Sequence, residues 1–417
     1  MEFKKIISDS SIALIIKGLS AAFGFLFSVI IARFYFAEGA GLYYLSFSFL
    51  LILTIICKYG FTTYILKEFS SNFKYEHKER VNNIVTIVIL ISVIASILTF
   101  SFSKPISIFF YSNYELEIFI SLTALAIVPY TLTFIFSSLN QSRGNLKIAM
   151  CTQNLVCYAL SCITVFFFGA YSSNYLPVVA FSFSAYISLA LSYFYYQKSQ
   201  KHRVLLVKLG KNISSEDNKK YFLSEVLIAF NNWAPLIFVS AILDSKATGI
   251  YAICSRISWL LSFLLVSVNA VVAPVLARHF KNRSLDQAKK IYLNFTLLLA
   301  LLSLPAFILC ILWPEKILAI FGDNFVTGSN ALRILILAQF VNVLTGPIGM
   351  VLLMGNKANI VNICTALSLL IGCLLIILLT NKYSLVGASI GAAAGMSLAN
   401  LGMAYLAFFR INVFRSK

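Results

Sequence analysis

Apolar runs of about twenty residues follow one another along almost the whole chain, separated by short polar connectors. A helix needs about 20 mostly apolar residues to cross the hydrocarbon core of a bilayer. Runs of that length predict membrane helices at 11–34, 41–61, 83–103, 116–138, 148–170, 175–196, 221–243, 249–275, 291–313, 328–354, 358–380 and 384–409. The sequence therefore predicts an all-α membrane protein with about twelve transmembrane helices.

The charged residues of the chain are few and are placed in the connectors. They make up only 12% of the 417 residues, whereas soluble domains carry roughly 25%. The net charge of +18 would favour nucleic-acid binding in a soluble protein. Because most of the basic residues lie between apolar runs, we interpret those residues as topology signals and expect no nucleic-acid partner.

Lysine and arginine in alternate connectors predict the orientation. One side of the membrane receives 24 of these cations and the opposite side 5. Since cytoplasmic connectors are enriched in Lys and Arg, both termini are expected in the cytoplasm. The first apolar run is too long for the core of a cleavable signal, so we expect it to remain as a helix. The predicted location is a bacterial inner (cytoplasmic) membrane.

Several chemical functions find no support in the sequence. The eight cysteines form no C-x-x-C pair, and the three histidines lie in polar connectors, so neither a metal site nor another cofactor is predicted. The phosphate-binding string G-x-x-x-x-G-K-[ST] is absent, which argues against ATP as the energy source. We therefore expect a protein that is not an enzyme.

Three pairs of short motifs indicate an internal repeat. The paired segments are 104–110 with 316–322, 41–43 with 249–251, and 140–145 with 354–359. Their offsets of 212, 208 and 214 residues agree within loop variation. Six helices per half make the halves parallel, as in transporters whose halves rock around a central cavity. The predicted organisation is an N-terminal bundle (1–200), a cytoplasmic linker (201–220) and a C-terminal bundle (221–417).

Cations inside apolar runs are the candidate binding groups. An Arg or Lys at a helix centre costs about 2.5–3.5 kcal/mol on insertion scales, and one phosphate charge at roughly 4 Å returns about 4 kcal/mol. Arg256 is the leading candidate, beside a polar stripe that ends at Asn269, and Lys17 is the second. The alternatives are snorkelling to the interface or pairing with a carboxylate.

Three further residues are weaker candidates. Lys58 and Arg333 lie near helix ends, where a cation more often reaches the interface, but we retain both as possible substrate contacts. Glu225 is the one carboxylate clearly inside an apolar run, which suits coupling to a proton or to sodium. The alternative for Glu225 is a salt bridge at the cytoplasmic end, for which Lys17 is a candidate partner.

The ordered motifs also resemble those of a known family. They include AR (32–33), EGAGLY (38–43), YGF (59–61) and KE (67–68) in the first half, with GIYAICSR (249–256), PVLAR (274–278), ILAIFG (317–322), ALRIL (331–335) and GASIG (387–391) in the second. Over essentially the whole chain this resembles the polysaccharide-transporter branch of the multidrug/oligosaccharidyl-lipid/polysaccharide exporter superfamily, in particular the Wzx-type O-antigen flippases. One departure is FYF (34–36), where the family usually has a small residue and glycine; it is expected to loosen the first outer turn.

The resemblance implies a function. It implies that the protein moves an undecaprenyl-diphosphate-linked oligosaccharide repeat unit from the cytoplasmic to the periplasmic leaflet by alternating access, in lipopolysaccharide biosynthesis. In related lipid II flippases, cations of the first and eighth helices are implicated with the diphosphate, and Lys17 and Arg256 are the matching positions. The implied partners are the lipid-linked oligosaccharide, membrane lipids, a polysaccharide polymerase and a chain-length regulator.

Two other functions stay open on the sequence. An ion-coupled drug/cation antiporter of the same superfamily would need carboxylates deep in the lumen, where this chain has cations. An O-antigen polymerase, which belongs to another class, would need a large outward loop with catalytic Arg or His residues. The outward connectors here have about a dozen residues or fewer.

Overall fold

The structure, a computed structural model, describes residues 2–71, 78–111, 114–169, 173–199, 216–355, 357–411 and 413–414. Within these ranges the chain is almost entirely helical, and no β-strand occurs in them. The α-helices are α1 (Glu2–Lys58), α2 (Phe61–Ser71), α3 (Lys78–Ser101), α4 (Ser103–Tyr111), α5 (Tyr114–Ser142), α6 (Leu146–Met150), α7 (Val156–Phe168), α8 (Leu176–Ser199), α9 (Glu216–Ile242), α10 (Ser245–Lys281), α11 (Leu285–Leu312), α12 (Pro314–Ala319), α13 (Ser329–Leu344), α14 (Ile348–Met354) and α15 (Ala358–Tyr405). A π-helical turn, Cys151–Leu155, joins α6 to α7, and another, Leu406–Arg410, follows α15.

Ten segments of the described chain are long and apolar enough to cross a membrane. Two of them, Ile15–Lys58 and Ala358–Arg410, are long enough for two crossings each. As a straight rod, α1 would measure about 86 Å at 1.5 Å per residue, far more than a hydrocarbon core of about 30 Å. Counting both segments twice gives twelve crossings, so the predicted all-helical fold with about twelve membrane helices is confirmed.

Single residues break the two longest helices. In α1 the break is at Phe36 (φ 54°, ψ −170°), and in α15 it is at Ser384 (φ 49°, ψ −132°). From the sequence we predicted connectors of several residues at both points and a loosened turn at 34–36. The helix instead resumes directly after one residue with positive φ, because that single backbone change is enough to interrupt the hydrogen-bond ladder.

The two parts of α15 fold back on one another about Ser384. Their close approaches pair Gly372 with Gly395 and Ile376 with Gly391, positions that lie at matching distances on either side of the break. The glycines at 387, 391 and 395 recur every four residues and therefore lie on one face of the helix. Small residues at this spacing allow two membrane helices to approach backbone to backbone.

We expect a glycine at position 36 to stabilise the protein. Phe36 occupies a backbone region that is nearly exclusive to glycine, which costs of order 1–3 kcal/mol, and its side chain is 63% exposed. Glycine removes that strain but adds up to about 1 kcal/mol of unfolded-chain entropy. The F36G variant should therefore gain about 1 kcal/mol of stability, measured as a higher melting temperature in detergent.

Phe166 provides the matched control for this prediction. It lies inside α7 and is 61% exposed. Glycine in a helix interior costs about 1 kcal/mol, so F166G should lower the melting temperature. A lower melting temperature for F36G as well would contradict the assignment of strain to position 36.

The repeat motifs fall on equivalent elements of the two halves. Segments 104–110 and 316–322 include most of α4 and α12, the short helices that follow the third crossing of each half. Gly41 and Gly249 each lie five residues after a helix break, at Phe36 in the first half and at Asp244, the N-cap of α10, in the second. This agreement supports the predicted duplication.

The chain divides into two compact units, Met1–Ala229 and Phe230–Lys417. The boundary lies inside α9, so one continuous helix begins in the first unit and ends in the second. Most of the predicted linker, residues 201–215, lies outside the described residues. The exact division into 1–200, 201–220 and 221–417 stays a prediction.

The first unit buries polar side chains as well as apolar ones. Ser137 Oγ is 2.9 Å from Thr152 Oγ1 and 3.4 Å from Ser192 Oγ, while Asn140 Nδ2 donates to the Ser192 carbonyl at 2.9 Å. This network joins α5, the π-helical turn at Thr152, and α8. In a bilayer, lipid competes with apolar contacts between helices, so hydrogen bonds such as these help to hold the helices together.

The second unit has an apolar core at the end of its helices. Aromatic rings of α10, α11 and the residues after α15 meet there, with Tyr292 and Phe414 at 5.9 Å and Phe280 and Phe414 at 6.3 Å between ring centroids. By contrast, large apolar residues of α11 such as Leu297 and Leu301 are about 60% exposed. That exposure fits a helix whose outer face contacts lipid.

Candidate substrate-binding residues

Arg256 lies within the apolar part of α10, a helix that runs from Ser245 to Lys281. The helix begins at Ser245, where the Asp244 side chain accepts a 2.8 Å hydrogen bond from the Ala247 N–H. At 1.5 Å per residue, this start places Arg256 about 16 Å along the helix, compared with about 10 Å from the start predicted at residue 249. The arginine is partly buried. Because a charged side chain inside an apolar membrane helix is costly to insert into the bilayer, a functional role for Arg256 is the default hypothesis.

A polar stripe runs along α10 beside Arg256. Ser255, Ser262 and Asn269 are seven residues apart and therefore lie on one side of the helix. Ser262 Oγ donates to the side-chain oxygen of Gln339 on α13, which also accepts from Asn342 Nδ2 at 3.3 Å. The stripe thus continues onto a second helix of the same unit, a contact that the sequence did not predict.

Asn269 extends this stripe further along α10. Its Oδ1 atom is buried and accepts no hydrogen bond within the described part of the chain. An unsatisfied buried carbonyl oxygen costs about 1–3 kcal/mol. The side chain is therefore a candidate to receive a hydroxyl or amide donor from a ligand.

Two tryptophans form a pair that the sequence analysis missed. The rings of Trp233 on α9 and Trp259 on α10 meet edge to face, with centroids 5.0 Å apart. Both are partly exposed, and Trp259 lies one helical turn from Arg256. The only sequence signal was that two of the chain's three tryptophans occur on consecutive helices.

Arg333 on α13 is hydrogen-bonded to residues of α11, α12 and α13. Its Nη2 is 2.9 Å from Glu315 Oε1 on α12, and its Nη1 donates to Asn330 Oδ1 at 3.1 Å. Its Nε donates to the Ile311 carbonyl at 3.2 Å. Both charged side chains of the pair are partly exposed, so the ion pair itself stabilises the fold by less than about 1 kcal/mol. These bonds connect the ends of α11, α12 and α13.

Lys17 lies on the first part of α1 in the first unit and is partly buried. Its neighbour Gly18 has nothing within 4 Å of where a Cβ would stand. Ile15 and Leu19, on either side, are 62% and 46% exposed. This stretch of α1 is therefore not covered by other described parts of the chain.

Lys58 and Glu225 are the two predicted site residues that the structure brings together. Glu225 Oε1 accepts hydrogen bonds from Thr63 Oγ1 at 2.7 Å and from Thr62 Oγ1 at 3.3 Å. The Lys58 ammonium interacts electrostatically with this carboxylate and lies 4.6 Å from the centre of the Phe134 ring. Lys58, rather than Lys17, is thus the cation that the structure places near Glu225.

In the part of the chain that the structure describes, no three His, Cys, Asp or Glu side chains are grouped so that they could hold a metal ion. The candidate residues described above carry cationic, hydroxyl and amide groups and aromatic rings. Such groups suit an anionic, hydroxyl-rich ligand.

The chain matches two known protein families. Residues 6–280, about two thirds of the chain, match the family described as "Polysaccharide biosynthesis protein". The chain belongs to this polysaccharide biosynthesis family. Residues 222–380 also match the family MatE. A comparison with curated proteins finds no match.

Three solved structures of transporters are similar to this chain. An inward-facing multidrug resistance MATE family transporter of the MOP superfamily has a TM-score of 0.73 at 13% identity, over 97% of this chain and 98% of the other. The lipid II flippase MurJ in an inward closed conformation gives 0.73 at 16% identity, over 96% and 88%. The MATE multidrug transporter DinF-BH gives 0.71 at 16%, over 99% and 97%. At these identities the similarity establishes the fold.

Proposed function

We propose that this protein is a flippase that moves an undecaprenyl-diphosphate-linked oligosaccharide repeat unit from the cytoplasmic to the periplasmic leaflet of the bacterial inner membrane. The observation that carries the proposal is Arg256, a cation within an apolar membrane helix beside a stripe of hydroxyl and amide groups. The family match to polysaccharide biosynthesis proteins and the fold shared with a lipid II flippase support it.

The chemistry of the substrate fits these residues. Its isoprenoid tail can stay in lipid, whereas its diphosphate and sugars need a polar route across about 30 Å of hydrocarbon. A cation about 4 Å from a phosphate charge returns about 4 kcal/mol at an effective dielectric of 20, which offsets the cost of the buried arginine. We assign the diphosphate to Arg256 and the sugar hydroxyls to Asn269 and the polar stripe, and Lys17 stays a candidate diphosphate contact on the sequence resemblance alone.

The tryptophan pair is part of the proposed site. Trp259, one helical turn from Arg256, and Trp233, which packs against its ring, both present partly exposed apolar surfaces. Such surfaces suit the apolar faces of sugar rings, because aromatic side chains combine a large apolar body with a polar edge. We leave Arg333 out of the site, since its guanidinium is already bonded to Glu315, Asn330 and the Ile311 carbonyl.

Alternating access without chemistry on the substrate is the proposed mechanism, with both termini in the cytoplasm. The oligosaccharide would then be delivered to a polysaccharide polymerase and a chain-length regulator on the periplasmic side, as in O-antigen assembly for lipopolysaccharide. The orientation rests on the strong excess of Lys and Arg in one set of connectors. Glu225, the sequence candidate for ion coupling, accepts hydrogen bonds from Thr62 and Thr63, which favour a different role for it.

A drug antiporter is the second candidate function. The match of residues 222–380 to MatE and the fold shared with two multidrug transporters favour it. Against it stand Lys17 and Arg256, two cations inside apolar runs, whereas Glu225, the one carboxylate clearly inside such a run, lies near the Lys58 ammonium. A cationic drug would be repelled by that balance of charge.

Deleting the gene separates the two functions. A flippase deletion should abolish surface polysaccharide and leave lipid-linked repeat units inaccessible to a membrane-impermeant glycosidase added to spheroplasts. Drug sensitivity should not change. Normal surface polysaccharide together with raised sensitivity to cationic drugs would replace the flippase proposal with the antiporter.

A further inference from the structure

The cluster around Glu225 has the composition of an anion-binding site. It consists of Lys58 at the end of α1, Thr62 and Thr63 at the start of α2, and the Glu225 carboxylate, all within the first unit. The two hydroxyls donate to the same carboxylate oxygen, Oε1, at 2.7 and 3.3 Å. The ligand of this site in the present conformation is thus a carboxylate that belongs to the protein.

The backbone preceding α2 shapes this site. Tyr59 and Gly60 both have positive φ, at 49° and 72°, and they form the turn that separates Lys58 from α2. The turn lets Thr62 and Thr63 in the first turn of α2 share one anion with the lysine that ends the previous helix. The N-terminal end of a helix also favours negative charge.

The Glu225 carboxylate is incompletely satisfied in this position. Its second oxygen, Oε2, is buried and accepts no hydrogen bond within the described residues. The cation near it is shared, since Lys58 also lies 4.6 Å above the ring of Phe134. A carboxylate with one unbonded buried oxygen is a replaceable ligand, because an anion with more oxygens and more charge could use the same donors better.

We propose that Lys58, Thr62 and Thr63 form an entry site for the diphosphate of the substrate, and that Glu225 occupies this site until the diphosphate displaces it. This inference rests on the proposed function, and it gives Glu225 a role distinct from ion coupling. On the predicted orientation, Lys58, Phe134 and Glu225 all lie near cytoplasmic ends of helices, the side from which the substrate comes.

Displacement of Glu225 would also signal that substrate has bound. Glu225 lies on α9, the helix that starts in the first unit and continues into the second. Its two hydrogen bonds to α2 hold the first part of α9 within the first unit. When the diphosphate takes those donors, α9 loses these contacts, which couples binding to a change in the helix that connects the units.

The test measures binding of geranylgeranyl diphosphate, a C20 polyprenyl diphosphate, to the full-length protein in detergent. Removing the competing anion with E225Q should tighten binding about tenfold, within the usual range for coupled sites. K58M should weaken binding about tenfold, because it removes the cation while keeping a long apolar side chain. E315Q is the matched control: it also neutralises a carboxylate that is bonded to a neighbouring helix, and it should leave the affinity unchanged.

Inorganic diphosphate is titrated against the same variants to identify the recognised group. We expect it to compete with the lipid probe, and to do so more strongly in E225Q than in wild type. Melting temperatures of all variants establish that each is folded before its affinity is compared.

An affinity of E225Q equal to or below that of wild type would overturn the inference, as would an unchanged affinity in K58M. Binding of the lipid probe that inorganic diphosphate does not compete with would overturn it as well. The proposed function fails separately, through normal surface polysaccharide in the gene deletion. The two failures are therefore distinguishable.

Discussion

Cells whose only copy carries R256A are expected to lose surface polysaccharide while keeping normal amounts of the protein in the membrane. Arg256 lies within the apolar part of α10, where we propose that its guanidinium binds a phosphate of the substrate. Losing an interaction of about 4 kcal/mol corresponds to a rate lowered about 10³-fold. The measurement is polysaccharide display in a complemented deletion strain, with the protein quantified by immunoblot.

Two further variants sharpen this prediction. R256K keeps the charge but loses the planar, bidentate guanidinium, so it should retain partial export. R278A removes an exposed arginine from the far end of the same helix and should retain full export. Wild-type display in R256A would remove Arg256 from the mechanism.

Replacing Gly391 with alanine should unfold or strongly destabilise the second unit. A Cβ at this position would stand 2.5 Å from the backbone nitrogen of Ile376, closer than atoms can approach, and that neighbour is backbone rather than a movable side chain. The two parts of α15 would have to separate, at a cost of about 3 kcal/mol. The expected result is a large loss of monodisperse protein on size exclusion in detergent.

Gly402 is the internal control for this second prediction. It lies in the same part of α15, but a Cβ there would meet its nearest atom, Cys364 Sγ, at an ordinary 3.8 Å. Because alanine is a better helix former than glycine by about 1 kcal/mol, G402A should be as stable as wild type or more so. Equal stability of G391A and G402A would refute the close packing of the two segments.

The number and positions of the membrane helices could be predicted because they depend on the length of apolar runs. A run of about twenty apolar residues has few options in a bilayer other than a spanning helix. The way in which helices join could not be predicted in the same manner. Phe36 and Ser384 have no preference for positive φ, so their single-residue breaks arise from packing in the folded chain.

The candidate site was predictable only in part. The depth of Arg256 follows from its distance to the helix start, which the apolar pattern locates to within several residues. The partners of polar groups depend on contacts between distant segments, such as Thr63 with Glu225 and Ser262 with Gln339. For the same reason, the sequence suggested Lys17 for Glu225, whereas the structure places Lys58 beside it.

The most direct test of the proposed function is transport of a lipid-linked oligosaccharide by the purified protein in liposomes. A fluorescent polyprenyl-diphosphate oligosaccharide is placed in both leaflets, and an impermeant quencher then reports the fraction that can reach the outer leaflet. The account predicts that wild-type protein makes nearly all of the probe accessible with time, while R256A liposomes behave like protein-free ones. Equal accessibility in wild-type and protein-free liposomes would contradict it.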